Sequence, residues 1–420
     1  MLRDLAHIAA LAPFRVRSFR FQWPSNLATS WAFEMETLIL GWYVFVETKS
    51  VLLLTVFGSL IWLGTLISPL FGVAGDRIGH RNVLIVMRTF YAAQAAVIMT
   101  LAFTGILNPF HVLAISTLMG MVRPSDMVLR WALVGETMPA RQLMGAISIE
   151  RMTSDSARVV GSLTGAGLVA LLGLGPAYVV VTAFYALSLL LTFGIAASPT
   201  KATATIATER SRLSAWSDLR EAVAHAWTTP LLLAALSLAF LVNLTAYPLV
   251  LGLLPYVAKE IYQTDQTGLG YLMASFASGG LLGSLALSHK GGSIRAGRWM
   301  MMFCGAWFVM LTAFALMPTL TGGIMMLVAA GCAQSFGLVP MGALLLRHSE
   351  ERFRGRIMGL RMFAIYGLPI GLLIAGPIIE HFGYRMMALL YCAIGIVFTL
   401  LIGIRWHAKV WRRDAPANRV

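Results

Sequence analysis

Long apolar runs recur along the chain, each closed by a short cluster of glycine, proline or charged residues. A helix that crosses a bilayer needs about 20 apolar residues. The breaks mark twelve such runs, near 22–46, 52–74, 83–105, 110–134, 144–172, 176–197, 231–258, 268–288, 299–318, 320–346, 356–379 and 385–405. Most connections are short, but 198–230 is long. Its first part is small and polar, as a linker is. Its second part, Leu213 to Trp227, is amphipathic and suits a membrane surface. This loop divides the spans six and six. A weak repeat agrees: Met144-Gly145 opens the fifth span and Met358-Gly359 opens the eleventh. The pattern predicts an all-α membrane protein of twelve transmembrane helices in two pseudo-symmetric six-helix bundles, 22–197 and 231–405. An interfacial segment, 1–21, precedes them, the linker 198–230 joins them, and a basic tail, 406–420, follows.

Composition sharpens the picture. Of 420 residues, 58% are hydrophobic and 12% charged, against about 25% charged in soluble domains. Lipid is therefore the expected solvent. The net charge of +14 would by itself suggest nucleic acid, but its distribution does not. With the N-terminus inside, Lys49, Lys259 and Arg385 fall outside, and Arg123, Arg130, Arg151 and Arg158 fall within spans. The other 25 of the 32 Lys and Arg, with Arg77, Arg81 and Arg88 among them, face inward. This bias predicts both termini in the cytoplasm and no nucleic-acid partner.

Little points to an enzyme. Cys304, Cys332 and Cys392 stand far apart in apolar runs, without ligand spacing, and the histidines are scattered. Neither a Walker loop nor a nucleophile motif is found, so no metal and no cofactor are expected. Gly165-x-Gly167-x-x-Ala170 imitates a dinucleotide fingerprint but lacks a preceding strand. Gly161-x-x-x-Gly165 reads better as a close helix contact, and Gly367-x-x-x-Gly371 is a comparable stripe.

Between the second and third spans runs Gly72-x-x-x-Asp76-Arg77-x-Gly79-His80-Arg81. This resembles the major facilitator superfamily signature G-x-x-x-D-[RK]-x-G-[RK]-[RK], with His80 in place of a fixed charge. Ser30-Trp31-Ala32-Phe33-Glu34 stands where S-x-x-G-D occurs in the bacterial exporter branch that includes the enterobactin exporter and macrolide-efflux-type proteins, which the chain resembles in part. The resemblance implies alternating access, with a cytoplasmic latch in which Asp76 meets the N-terminus of the eleventh span near Gly355 and Met358. Gly72 and Gly79 would permit close approach and a tight turn. Arg77 and Arg81 need acceptors, for which Glu136 is the candidate, and His80 is expected to be a solvated side chain.

Charges inside a membrane are costly and usually face a cavity or a partner. Glu34 lies mid-span with no partner in its own helix, and Glu36 points elsewhere. Arg123, Asp126 and Arg130 share one helix face, as do Arg151, Asp155 and Arg158, while Glu150 lies near the inner rim. Arg123–Asp126 and Asp155–Arg158 could be local pairs that make their helices insertable. In a functional reading, Glu34 and Asp126 handle protons. Arg123, Arg158, Asn243, Tyr247 and Gln334 then line a substrate cavity. The resemblance then implies a monomeric, proton-coupled exporter of a small amphipathic organic molecule, drug- or siderophore-like, in a bacterial inner membrane. Proton-coupled uptake of a small organic anion is the alternative on the same architecture. A lipid-handling protein or a non-transporting membrane receptor is the alternative of another class.

Overall fold

The computed structural model describes residues 9–196, 220–221, 223–289, 295–349 and 354–407, and all regular structure among them is helical. Among the described residues, nine helices are long and apolar enough to cross a membrane. Three further crossings bring the number to twelve. Span 1, Arg17–Thr48, is long enough but carries Glu34 and Glu36. Span 2 is broken into Val51–Leu60 and Ser68–Ile78, with a 3-10 turn at Leu63–Leu66 between them. The 50-residue stretch Arg356–Arg405 is two crossings, spans 11 and 12, joined at Gly383. The rest are span 3, His80–Phe103, span 4, Pro109–Thr137, span 5, Ala140–Leu172, and span 6, Leu174–Phe193. Span 7 begins with Pro230–Thr245. Spans 8, 9 and 10 are Gln266–His289, Ala296–Leu316 and Leu320–His348.

Local chemistry explains the boundaries. Asn108 caps span 4, its Oδ1 accepting from the His111 N–H at 2.9 Å, with Pro109 in the first turn. Thr319 caps span 10 through the Gly322 N–H at 3.2 Å. Gly79, Gly173 and Gly383 each join two helices through a single residue, at φ of 90°, 82° and 79°. A side chain there would be strained, and glycine is not. Span 1 starts earlier than its apolar run suggests. Residues 17–21 belong to it, and the interfacial segment reduces among the described residues to the 3-10 helix Ala9–Arg15. Of the amphipathic Leu213–Trp227, residues 213–219 and Ala222 lie outside the described residues, and 223–228 are helical.

Packing divides the chain into two units. One comprises Met1–Leu53, Leu60–Ile206 and Thr264–Ala274, the other Leu54–Ser59, Ala207–Gln263 and Ser275–Val420. They differ from 22–197 and 231–405 by the exchange of two short segments. Within the second unit, Ser59 donates to the Pro369 carbonyl at 3.1 Å. Within the first, Gly270 lies where a Cβ would come within 2.5 Å of Ala166 Cβ.

In the first unit, span 1 packs along spans 5 and 6, and span 3 along span 6. Its core includes Phe19, Met35, Leu38, Tyr91, Tyr178 and Tyr185, all fully buried. In the second unit, span 9 packs on span 10, and spans 7 and 9 on the helix Gly367–Arg405, around Trp307, Phe308 and Phe314. Span 7 continues through two π-helical turns, Pro248–Gly252 and Val257–Ile261. Pro248 has no N–H to donate, which favours a widened turn at that point.

Candidate functional site

The polar residues of the first unit form stripes at helical spacing inside apolar helices. Span 1 buries Gln22, Ser25, Asn26, Thr29 and Glu36, and span 6 buries Tyr178, Tyr185, Ser188 and Thr192. Facing stripes satisfy each other where neither could face lipid. At their centre lies Arg88 of span 3, fully buried. It donates to Ser25 Oγ, to Thr192 Oγ1 and, at 2.5 Å, to Asn26 Oδ1. Asn26 Nδ2 in turn donates to Glu150 Oε1 at 2.8 Å. One expectation is corrected here. Arg88 is not an inward-facing loop charge, because span 3 begins at His80 and carries it into the bundle. Glu150 is buried, at 3% exposed.

Span 4 adds a second cluster. Asp126 and Arg130, both buried, form an ion pair one helical turn apart. Arg130 also donates to Ser30 Oγ at 2.8 Å and to the Asn26 carbonyl at 3.2 Å. Arg123 does not pair with Asp126. It donates to Thr37 Oγ1 at 2.8 Å, with its guanidinium 4.5 Å from the centre of the Phe33 ring. Phe33 meets Tyr91 and Tyr185 edge-on, closing an aromatic wall.

Glu34 has a partner on another helix. Its Oε1 lies 3.8 Å from Arg158 Nε of span 5, and neither side chain is fully buried. Asp155 pairs instead with Arg151, at 3.3 Å. The local pairs expected from spacing, Arg123–Asp126 and Asp155–Arg158, are thus replaced by Asp126–Arg130, Arg151–Asp155 and Glu34–Arg158. Gly161 sets up the last of these. A Cβ there would stand 2.8 Å from Glu34 Cβ, and one at Gly165 3.0 Å from Met35 Cα. The Gly161-x-x-x-Gly165 stripe is the close contact of spans 1 and 5. Glu36 turns the other way, fully buried against span 6. Tyr185 donates to its Oε2 at 2.7 Å and Tyr178 to its Oε1 at 3.4 Å.

At the end of span 2 the structure distributes the signature residues differently from expectation. His80 is not solvated. Its side chain is 9% exposed, with Nδ1 2.8 Å from Glu136 Oε1 and Nε2 3.7 Å from Asp76 Oδ1. Glu136 therefore receives His80 rather than Arg77 or Arg81. Arg81 donates to the Phe193 carbonyl at 2.8 Å, at the C-terminal end of span 6 where cations are favoured. Arg77 and Asp76 are exposed. Gly79 makes the turn, but Gly72 has nothing within 4 Å of a built Cβ. The close approach is at Gly75, where a Cβ would come 2.6 Å from the His80 ring.

The second unit is quieter. Gln334 Nε2 donates to the Tyr247 hydroxyl at 2.8 Å, and Tyr247 packs edge-on against Trp307. Asn243 bonds to its own helix, at Ala239 O. Gly367 and Gly371 lie directly against the span 7 backbone, where built Cβ atoms come 2.7 Å from Phe240 O and 2.0 Å from Leu244 O. Arg361 lies with Nη1 2.9 Å from a Cβ built on Gly342. No group of His, Cys, Asp and Glu fit to hold a metal is found among the described residues.

A family model described as transmembrane secretion effector matches residues 8–419. The chain belongs to that family, within the major facilitator superfamily. Solved transporters share its fold. The structure of a POT family transporter in complex with 5-aminolevulinic acid matches with a TM-score of 0.72 at 12% identity, covering 94% of this chain and 97% of that one. A D-xylose-proton symporter matches at 0.67 and 13%, covering 91% and 96%. The nucleoside transporter NupG matches at 0.64 and 14%, covering 94% and 100%. No curated protein matches the chain. The family and these neighbours are membrane transporters of the major facilitator type, not enzymes, and the transporter carries most of its buried charge in its first unit.

Sequence reasoning missed Arg88, Glu36 and the polar stripe of span 6. A signal for each was present. Arg88 shares a helix face with Leu84, Tyr91 and Ala95, and Tyr178, Tyr185, Ser188 and Thr192 recur at helical spacing.

Proposed function

We propose that the transporter is a proton-coupled exporter of a small amphipathic organic molecule, working as a monomer in a bacterial inner membrane by alternating access. The family description, secretion effector, supports the outward direction. The observation that carries the proton step is Glu34. Its pair with Arg158 is long, at 3.8 Å, and partly exposed, so it is made and broken at little cost. A nearby cation favours the charged form of a carboxylate, so parting the pair favours the protonated form. Asp126 is bound by Arg130 in a buried pair, which suits electrostatic support of the site better than a proton carrier.

The test uses proteoliposomes with an imposed pH gradient and a panel of amphipathic dyes. The wild type accumulates dye in response to the gradient, and Glu34→Gln binds dye but loses the response. Wild-type transport indifferent to the gradient would overturn the reading.

One observation favours uptake of an organic anion instead. Arg123 is held by a hydroxyl and a ring, with no carboxylate in an ion pair among the described residues. That leaves a cation for a substrate carboxylate to neutralise. Competition of dye transport by small organic anions, lost in Arg123→Gln, distinguishes the two.

A further inference from the structure

The site described above leaves one buried acid without a task. Glu36 is 2% exposed, at the level of the aromatic wall and on the opposite side of span 1 from Glu34. The other carboxylates in the first unit's interior have cationic or amide partners. Glu34 faces Arg158, Asp126 faces Arg130, and Glu150 accepts from the Asn26 amide next to Arg88. Glu36 has two phenols and, among the described residues, no cation in an ion pair.

We propose that Glu36 is a proton-binding site, in which the carboxyl group is held as the neutral acid between Tyr178 and Tyr185. An ionised carboxylate out of water needs a cation or several charge-assisted donors to offset its lost hydration. Glu36 has one short donor, Tyr185 at 2.7 Å, and one long contact, Tyr178 at 3.4 Å. A single close donor fits a neutral acid better than a carboxylate. Oε2 is then the carbonyl oxygen and accepts from Tyr185. Oε1 carries the proton toward the Tyr178 oxygen, whose own hydroxyl hydrogen turns away from Oε1, since a phenol both donates and accepts. No heavy atom has to move for the group to hold a proton.

The neighbouring helices bring few other charges to this point. Span 6 supplies the two tyrosines. Span 5 presents Gly165 beside Met35, and span 3 presents Tyr91 against the Tyr185 ring. Span 4 supplies Arg123, a cation held on Thr37, the residue after Glu36. A movement of Arg123 away from Thr37 toward Glu36 therefore expels the proton, and its return readmits it. This rests on the proton-coupled reading of the transporter, but assigns a different carboxyl from Glu34.

The experiment is infrared difference spectroscopy on the full-length protein in lipid, with the carbonyl stretch of a protonated carboxylic acid as readout and deuterium exchange as assignment. The wild type shows such a band, Glu36→Gln removes it, and Tyr185→Phe shifts its frequency because the carbonyl oxygen loses its donor. Tyr185→Phe keeps the acid in place, so it decides the matter even where Glu36→Gln does not fold. A protonated-acid spectrum unchanged by Tyr185→Phe, or one that Glu36→Gln leaves intact, overturns the proposal. The band without gradient-driven transport leaves the site standing and removes the coupling reading. Gradient-driven transport without the band does the reverse.

Discussion

Neutralising Asp126 tests whether the charges of the first unit hold it together or drive its cycle. Asp126 and Arg130 are 1% and 6% exposed and paired within one helical turn. Asp126→Asn leaves the guanidinium buried with two neutral acceptors, Ser30 Oγ at 2.8 Å and Asn26 O at 3.2 Å. Removing one partner of a buried pair costs about 3–5 kcal/mol. The two retained acceptors place this case at the lower end, about 3 kcal/mol, or roughly two orders of magnitude in the unfolding equilibrium. Asp126→Leu with Arg130→Met removes both charges and their desolvation, and such replacements are often neutral or stabilising. Reversible unfolding in mixed lipid–detergent micelles reads all of these. The single variant should lose about 3 kcal/mol and the double variant should recover most of it, a coupling of the size seen for contacting residues. An Asp126→Asn protein within about 0.5 kcal/mol of wild type, the range of an unremarkable surface change, would refute the reasoning. With transport also abolished, it would return Asp126 to the role of proton carrier.

Gly79→Ala, at φ 90° and ψ 132°, should cost about 1–3 kcal/mol by backbone strain, visible in the same unfolding assay, while Gly72→Ala should be silent. Gly75→Ala, outside the family pattern, should displace the His80 ring and be worse than Gly72→Ala, with turnover as the measure. His80→Ala and Glu136→Ala should be non-additive in transport rate, because each removes the same 2.8 Å contact. Additive effects would mean that the contact does not matter to the cycle. Gly161→Leu should separate spans 1 and 5 and weaken gradient-driven transport as strongly as Arg158→Gln, measured in proteoliposomes.

The twelve crossings were legible because apolar length is what a bilayer selects, and it is written locally in the chain. The family signature was legible for the same reason, since its residues are contiguous. Partnerships were not. Spacing put Arg123 near Asp126 and Asp155 near Arg158, yet each of these triads holds two cations for one anion, and neighbouring helices decide which cation is taken. Ser30 draws Arg130 to Asp126, Thr37 and Phe33 draw Arg123 away, and Glu34 claims Arg158 across a glycine contact. Charge counting placed Arg88 with the loops because it lies near an inner boundary. What moved it inside is its face, shared with Leu84 and Tyr91, and the hydroxyls of two other helices that wait there. The glycines show the same limit. Gly79 was readable as a turn from its place between helices, but whether Gly72 or Gly75 is crowded depends on a ring one turn further along.

Gly173 and Gly383 close the hairpins of spans 5–6 and 11–12 with one residue each, at φ of 82° and 79°. Charge bias puts both on the outer face. These corners therefore offer no flexible strand for a protease, an antibody or an inserted epitope to grip, and each hairpin reaches the outside as a bare helical tip. Reporters meant to follow the outer surface belong elsewhere, in the longer turn at 104–108, where exposed backbone tolerates an added peptide.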